Sequence, residues 1–325
     1  MHPAFSVILL TTLIGVGQGL FLALYTGQLY SVVEVVPVED SHQHYGVGAL
    51  LAVVFLSVGL LSSFFHLGHP ERGWRAIARW RTSWLSREVI ALPAFIGLVA
   101  LYGLVHYFDL NPVLFVWRDT FRVDLSLVIG AITTVAAFTL FLCTAMIYAC
   151  IKFLQEWATP LTVVNYTLLG SASGFTLASA FAAYRGSLLT DFYAGWAVLL
   201  TLAALVTRVS SLVRNQRIKH KSTLATAIGI RHARIVQKSQ GFMAGSFNTR
   251  EFFHGASDGV FALVKWTFLV AVFPLPVLLL SLGMGTGAVA VFVLAFAIQY
   301  LGLLAERWFF FAQANHPQNL YYQTV

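Results

Sequence analysis

Two ionisable residues, His66 and Glu88, sit near the two ends of a connecting stretch, SSFFHLGHPERGWRAIARWRTSWLSREVI, that runs from Ser62 to Ile90. Each sits where an apolar run long enough to cross a bilayer stops or starts. The stretch between them carries Arg72, Arg75, Arg79, Arg81 and Arg87. A carboxylate and an imidazole are the side chains best suited to move protons near neutral pH. If the two apolar runs fold back as antiparallel neighbours, His66 and Glu88 face each other at one membrane boundary. Each also has a plainer reading. Glu88 can be a first-turn acid favoured by the helix dipole, with Ser86 as N-cap, and His66 an interfacial tail.

A proton-handling pair at a lipid edge fits quinone redox, in which two electrons and two protons move together and hydrogen bonds to the ring oxygens hold the ring. Arg87 adjoins Glu88 and opposes its protonation if its side chain turns inward. Trp80, Trp84, Phe64 and Phe65 can supply aromatic walls. The other polar groups expected within the membrane are Gln18, His106, Asn165 and Gln299, each a functional candidate by default because such groups are costly there. His106 and His66 fall at opposite ends of their helices and cannot ligate one haem. A haem shared by His66 with His2, His69 or His254 is the arrangement that remains, and haem b is not expected. Cys143 and Cys150 lie seven apart on one helix face and read as small buried residues. No motif for an iron–sulfur cluster or another metal site is present, so any such cluster belongs to another chain.

The composition belongs to an integral membrane protein. Charged residues make up 10% and hydrophobic ones 58%, with a mean hydropathy of +0.77, against roughly 25% charged in soluble domains. Eight runs qualify as spanning helices, near 5–32, 46–66, 88–108, 124–150, 162–184, 191–212, 259–282 and 286–311. The expected fold is all-α, a polytopic bundle of about eight transmembrane helices. The net charge of +7 does not mark a nucleic-acid binder, because the basic residues gather in connecting loops. The loops near 67–87, 151–161 and 213–258 hold most of them. The loops on the other side hold only Arg118, Arg122 and Arg185, beside six acids. The positive-inside rule then puts both termini and the His66–Glu88 end in the cytoplasm. The N-terminus reads as a retained first helix rather than a signal peptide.

The chain forms a single membrane domain of three parts. Residues 1–212 make six helices with the candidate site, 213–258 a long basic loop with a weakly helical patch near 222–238, and 259–325 two helices and a tail. The loop is either a solvated segment obeying the charge rule or a docking surface. Gly170-Ser171-Ala172-Ser173-Gly174 has the small-residue spacing that allows close helix contact. Pro274 and Pro276 should break or kink the seventh helix, and the Gly283–Gly285–Gly287 region joins the last two. Trp266, Trp308 and Tyr102 suit interfacial anchoring. A transporter is the alternative of another class. It calls for broken helices in matched positions and charges near the midplane, whereas only the Pro274/Pro276 helix looks broken.

GVGQGL in the first helix, HLGHPERGWRAIARWRTSWLSRE and the C-terminal AERWFFFAQANHPQNLYYQ together resemble the membrane-anchor subunit of dimethyl sulfoxide reductase-type molybdoenzymes. The likeness spans essentially the whole chain, and RTSWLSRE is its most specific part. It implies an anchor beside a molybdopterin catalytic subunit and a four-cluster iron–sulfur subunit. Such an anchor exchanges electrons with ubiquinone or menaquinone in a bacterial inner membrane. It implies quinone-site roles for His66, Glu88 and Gln18; the residues around them add Arg87, Trp84 and Trp80 to the expected site, and Arg72, Arg75, Arg79 and Arg81 are the candidates for partner docking. A cytoplasm-facing orientation resembles the sulfite-oxidising members, which reduce quinone. The alternative is a quinol-oxidising anchor of a reductase for dimethyl sulfoxide or another sulfur compound.

Overall fold

The structure is a computed structural model that describes residues 1–117, 121–219, 223–236 and 253–320, with the backbone alone for His66, Trp117, Phe121, Gln318 and Leu320. Arg118, Asp119, Lys221, Lys238 and Arg250 lie outside the described residues, as does much of the expected 213–258 loop. The helices are α1 (Phe5–Val32), α2 (Val47–Ser63), α3 (Trp84–Tyr107), α4 (Leu125–Ala149), α5 (Pro160–Arg185), α6 (Thr190–Gln216), the short α7 (Leu224–Ile228), α8 (Asp258–Val272), α9 (Pro274–Thr286) and α10 (Val289–Ala312).

Among the described residues, seven segments are both long and apolar enough to cross a bilayer, α8 and α9 together counting as one. The eighth expected span, α5, is long enough at 26 residues, about 39 Å, but too polar to qualify. Its place in the bundle explains this. α5 packs against α1, α4, α6 and α10, and most of its side chains are buried, so protein rather than lipid surrounds it. Its hydroxyls are spent on its own backbone: Ser173 donates to Gly170, Thr176 to Ala172 and Ser179 to Thr176. α1 is buried along most of its length as well. The two central helices meet through glycines. A Cβ built on Gly15 would lie 3.3 Å from the Gly170 Cα, and one on Gly174 would collide with the backbone of Gly19 and Leu20. The expected small-residue contact is therefore the α1–α5 seam.

Around this pair, α2 packs on α1 and α3, α3 on α4, and α6 on α5. α10 packs on α8, α9 and α5. The expected break falls at Phe273, between α8 and α9. Pro276 has no N–H to give the Val272 carbonyl four residues back.

Several expectations need correction. A π-helical turn, Ser41–Gly46, precedes α2, and a 3-10 turn, Phe64–His66, follows it. α3 begins at Trp84, capped by Ser83, whose hydroxyl accepts from the Ser86 N–H. Ser86 is thus not the N-cap, and Glu88 sits a full turn inside the helix. The α3–α4 connection forms a small antiparallel hairpin, β1 (Val113–Trp117) with β2 (Phe121–Asp124), in an otherwise all-α fold; VLFVW is a β-favouring run. Tyr102 is no interfacial anchor: it is fully buried and donates to Gln28 Oε1 at 2.8 Å. Cys143 is buried, but Cys150 is exposed at the end of α4. The helical patch expected near 222–238 is the single turn of α7, closed by a Thr223–Thr226 capping box.

Candidate functional site

Glu88 projects from the second turn of α3 into the bundle and is 6% exposed. Thr144, near the end of α4, donates its hydroxyl to Glu88 Oε1 at 2.5 Å. The α3–α4 packing that brings them together starts from two side-chain caps, Ser83 on α3 and Asp124 on α4. A carboxyl held by a neutral donor, with no basic side chain bonded to it among the described residues, can gain or lose a proton without breaking an ion pair. Behind Thr144, Tyr148 and Tyr166 stack on each other, ring centroids 5.8 Å apart.

Arg87, the next residue, turns the other way. Its Nε donates to the Trp80 carbonyl and its Nη2 to the Arg81 carbonyl, both at 2.9 Å. Its guanidinium lies 4.2 Å from the centre of the Trp84 ring. It clamps the loop rather than opposing the protonation of Glu88. Trp80 is exposed and carries Arg81 over its ring at 5.4 Å, so the two tryptophans flank the loop and not the Glu88 carboxyl. His66 closes the 3-10 turn after α2. α2 and α3 pack together and are joined through residues 64–83, so its backbone lies at the same end of the pair as Glu88; its side chain lies outside the described residues.

The loop between them is almost wholly exposed from residue 68 to 82. Arg72 sits 3.7 Å from Glu71, and Arg75 lies 5.8 Å from the Trp74 ring. Arg79 and Arg81 lie on the same outward segment.

Gln18 is buried at mid-helix in α1 and donates to the Ala137 carbonyl of α4 at 2.9 Å. It lines a narrow cavity among α1, α4, α5 and α10 whose wall includes Thr12, Thr144, Tyr166 and Arg307. The space for the centre of a water-sized sphere there is ≈ 10 Å³, about enough for one water and far too little for a quinone ring. The remaining intramembrane candidates have structural duties. Asn165 ties α5 to α6 through Ser211 at 2.8 Å. Gln299 reaches the Val272 carbonyl at 3.3 Å and Thr201 at 3.1 Å, covering the acceptor that Pro276 leaves unpaired. His106 meets Ser41 at 2.7 Å at the far end of the bundle.

Sequence reasoning missed the most heavily charged group in the bundle. Glu306 of α10 is completely buried between Arg208 of α6, Nε to Oε1 at 2.7 Å, and its neighbour Arg307, Nη1 to Oε2 at 3.0 Å. The Arg307 guanidinium also lies 3.7 Å from the Tyr166 ring centre. Charged side chains buried in a membrane bundle are costly, and the two ion pairs offset that cost. A signal exists in the sequence, since all three fall inside the spans assigned from hydropathy. It is weak because each lies near a helix end, where charges are ordinary. A second cavity borders this cluster, lined by Asn165, Tyr166, Arg208, Glu306, Arg307 and Glu156 among others, again with ≈ 10 Å³ for the centre of a water-sized sphere.

Comparison with known proteins adds two findings. The family model described as DMSO reductase anchor subunit (DmsC) matches residues 1–239. A sulfite dehydrogenase subunit from Allochromatium vinosum is 57% identical over 325 residues, which is 100% of each chain.

Proposed function

Because the chain belongs to the DMSO reductase anchor subunit family (DmsC) and is a multi-pass membrane anchor, we propose that it carries electrons between a membrane quinone and the electron-transfer subunit of its complex. Membership of the family implies catalytic and electron-transfer partners. We take these to be a molybdopterin subunit and a four-cluster iron–sulfur subunit. The identity to a sulfite dehydrogenase subunit along the full length favours sulfite oxidation coupled to quinone reduction. In that arrangement the anchor lies in a bacterial inner membrane with both termini cytoplasmic, the orientation favoured by the basic loops.

The observation that carries this reading is the buried Glu88 carboxyl, held by Thr144 at the loop end of the bundle. Quinone, when bound, supplies two-electron, two-proton chemistry. This chain's part is to hold the ring and deliver protons. Glu88 is the proton donor, and His66 a second hydrogen-bonding group at the same end. Gln18 orders the interior behind Glu88. The cavity beside Gln18 is too small for the ring, so a ring that meets Glu88 does so outside that cavity. Arg87, Trp84 and Trp80 shape the loop above the site, and Arg72, Arg75, Arg79 and Arg81 offer a cationic docking face. The chain's two cysteines lie on one helix, without the ligand set of an iron–sulfur cluster, so electrons arrive from the partner's clusters. No haem b or nucleic acid enters the scheme.

Glu88→Gln keeps the size of the side chain and removes the ionisable group. The variant should assemble with its partners, keep activity toward an artificial soluble acceptor and lose at least tenfold in quinone-dependent turnover. Quinone-dependent turnover at the wild-type rate would overturn the assignment of Glu88.

A further inference from the structure

The reduction of a quinone takes two electrons from the partner's one-electron carriers and two protons, one for each ring oxygen. Each proton that Glu88 donates must be replaced from water outside the membrane. Glu88 is buried, and its contact with Thr144 points into the bundle rather than toward the exposed loop. Thr144 in turn lines the first cavity, together with Thr12, Gln18, Tyr166 and Arg307. Tyr166 and Arg307 also line the second cavity, whose far wall includes Glu156, Asn215 and Gln313. Glu156 lies in the α4–α5 connection, and Asn215 and Gln313 lie at the ends of α6 and α10. The two cavities thus share Tyr166 and Arg307 and lie in series between Thr144 and the helix ends on the side of the N-terminus, the first with Ile14, Phe141, Leu169 and Leu303 beside its polar groups.

We propose that this series is the proton-supply route for Glu88, with the Arg208–Glu306–Arg307 cluster as the device that holds its two cavities together at Tyr166. The inference rests on the quinone reading of Glu88. Each cavity has the room and the polar lining to hold about one water. In the second, Asn165 Oδ1 and Arg208 Nη2 are buried without a protein hydrogen-bond partner among the described residues, which leaves them for water. A proton entering at the helix ends beside Glu156, Asn215 and Gln313 passes along the second cavity, the Tyr166 hydroxyl, the first cavity and the Thr144 hydroxyl to the Glu88 carboxylate. Each hydroxyl accepts one proton and releases another, so no group on the way changes its net charge. Two guanidiniums alone would repel a proton. Glu306 and Glu156 bring the second cavity's wall to two positive and two negative side chains. Arg307, held by Glu306 at 3.0 Å, sits 3.7 Å over the Tyr166 ring and fixes that hydroxyl where the cavities meet. The cluster acts through Tyr166 and is a positioning element.

The test uses the whole complex in proteoliposomes. Tyr166→Phe keeps the ring under Arg307 and removes only the hydroxyl; Thr144→Val does the same at the other end of the first cavity. Both should lower quinone reduction about tenfold and enlarge its solvent deuterium isotope effect. In Tyr166→Phe, binding of a fluorescence-quenching quinone analogue and electron transfer to a soluble acceptor should stay as in the wild type. Thr144→Ser, which restores the hydroxyl, should recover most of the rate. Glu306→Gln should reproduce the isotope effect by loosening Arg307 from the ring. Wild-type turnover and isotope effect in both Tyr166→Phe and Thr144→Val would overturn the route and leave the cluster a structural clasp. If one of the two does not fold, the other decides alone. A wild-type complex that binds no quinone analogue would instead remove the quinone reading itself.

Discussion

At the scale of single residues, the partner of a buried polar side chain separates those that serve a backbone group from those that do not. Gln299 shows the first case. Pro276 cannot donate to the Val272 carbonyl, and the Gln299 amide does so from α10. Gln299→Leu should therefore destabilise the detergent-solubilised protein by about 1 kcal/mol, the scale of interhelical hydrogen bonds in membranes. In a Pro276→Ala background, where the backbone regains its donor, the same change should cost measurably less. Equal losses in denaturant titrations of the two backgrounds would show that the amide does not serve this carbonyl. Glu88 shows the second case, since its only described side-chain partner is a threonine and no carbonyl depends on it. Residue type flagged both equally in the sequence. What sorts them, the identity of the atom at the other end of the bond, comes from helices far apart in the chain. The same distance hid Arg208, Glu306 and Arg307, which look like three separate interfacial charges until α6 and α10 meet.

At the scale of elements, apolarity and burial are separate properties in this bundle. Among the described residues seven spans pass on apolarity alone, six of them with outer faces left to lipid and α1 although it is buried over most of its length. α5 is exempt, being wrapped by other helices, and its serine, threonine and glycine content reflects close packing rather than solvent. The α1–α5 seam should accordingly be the least tolerant part of the bundle. A Cβ at Gly174 collides with backbone, which cannot swing aside as a side chain can. Gly174→Val should drive α1 from α5 and abolish recovery of folded protein in size-exclusion chromatography. Gly97→Ala in α3, where a Cβ meets nothing within 4 Å, should be neutral or slightly stabilising. Similar yields of the two variants would mean that the seam is looser than the glycine contacts require. The α8–α9 break was legible because proline acts locally, and the β1–β2 hairpin was not, because a run of five residues between two long helices gives too little pattern to separate strand from loop.

At the scale of the whole molecule, the loop between α2 and α3 is the feature the bundle does not explain. Internal packing leaves Trp74, Ile77 and Trp80 outward, 68%, 44% and 51% exposed, interleaved with Arg72, Arg75, Arg79 and Arg81. Arginine and tryptophan together are typical of the centres of protein interfaces. The segment sits at the same end as Glu88, where an electron carrier must approach for the proposed transfer. The basic residues of the 213–258 loop obey the same charge rule, so charge alone does not separate the two surfaces. Exposed apolar area does: α7 and its neighbours contribute only Ile228, Ile230 and Val236 and no aromatic ring among the described residues. Reversing charge in Arg75→Glu/Arg79→Glu should weaken recovery of the partner subunits in affinity purification at least tenfold at low salt, and the gap from the wild-type complex should narrow as salt is raised and screens both the attraction and the new repulsion. Arg231→Glu/Arg234→Glu, equally exposed and equally basic, should leave recovery within twofold. The opposite ranking would move the docking face to the long loop and leave the arginines between α2 and α3 as topology signals alone.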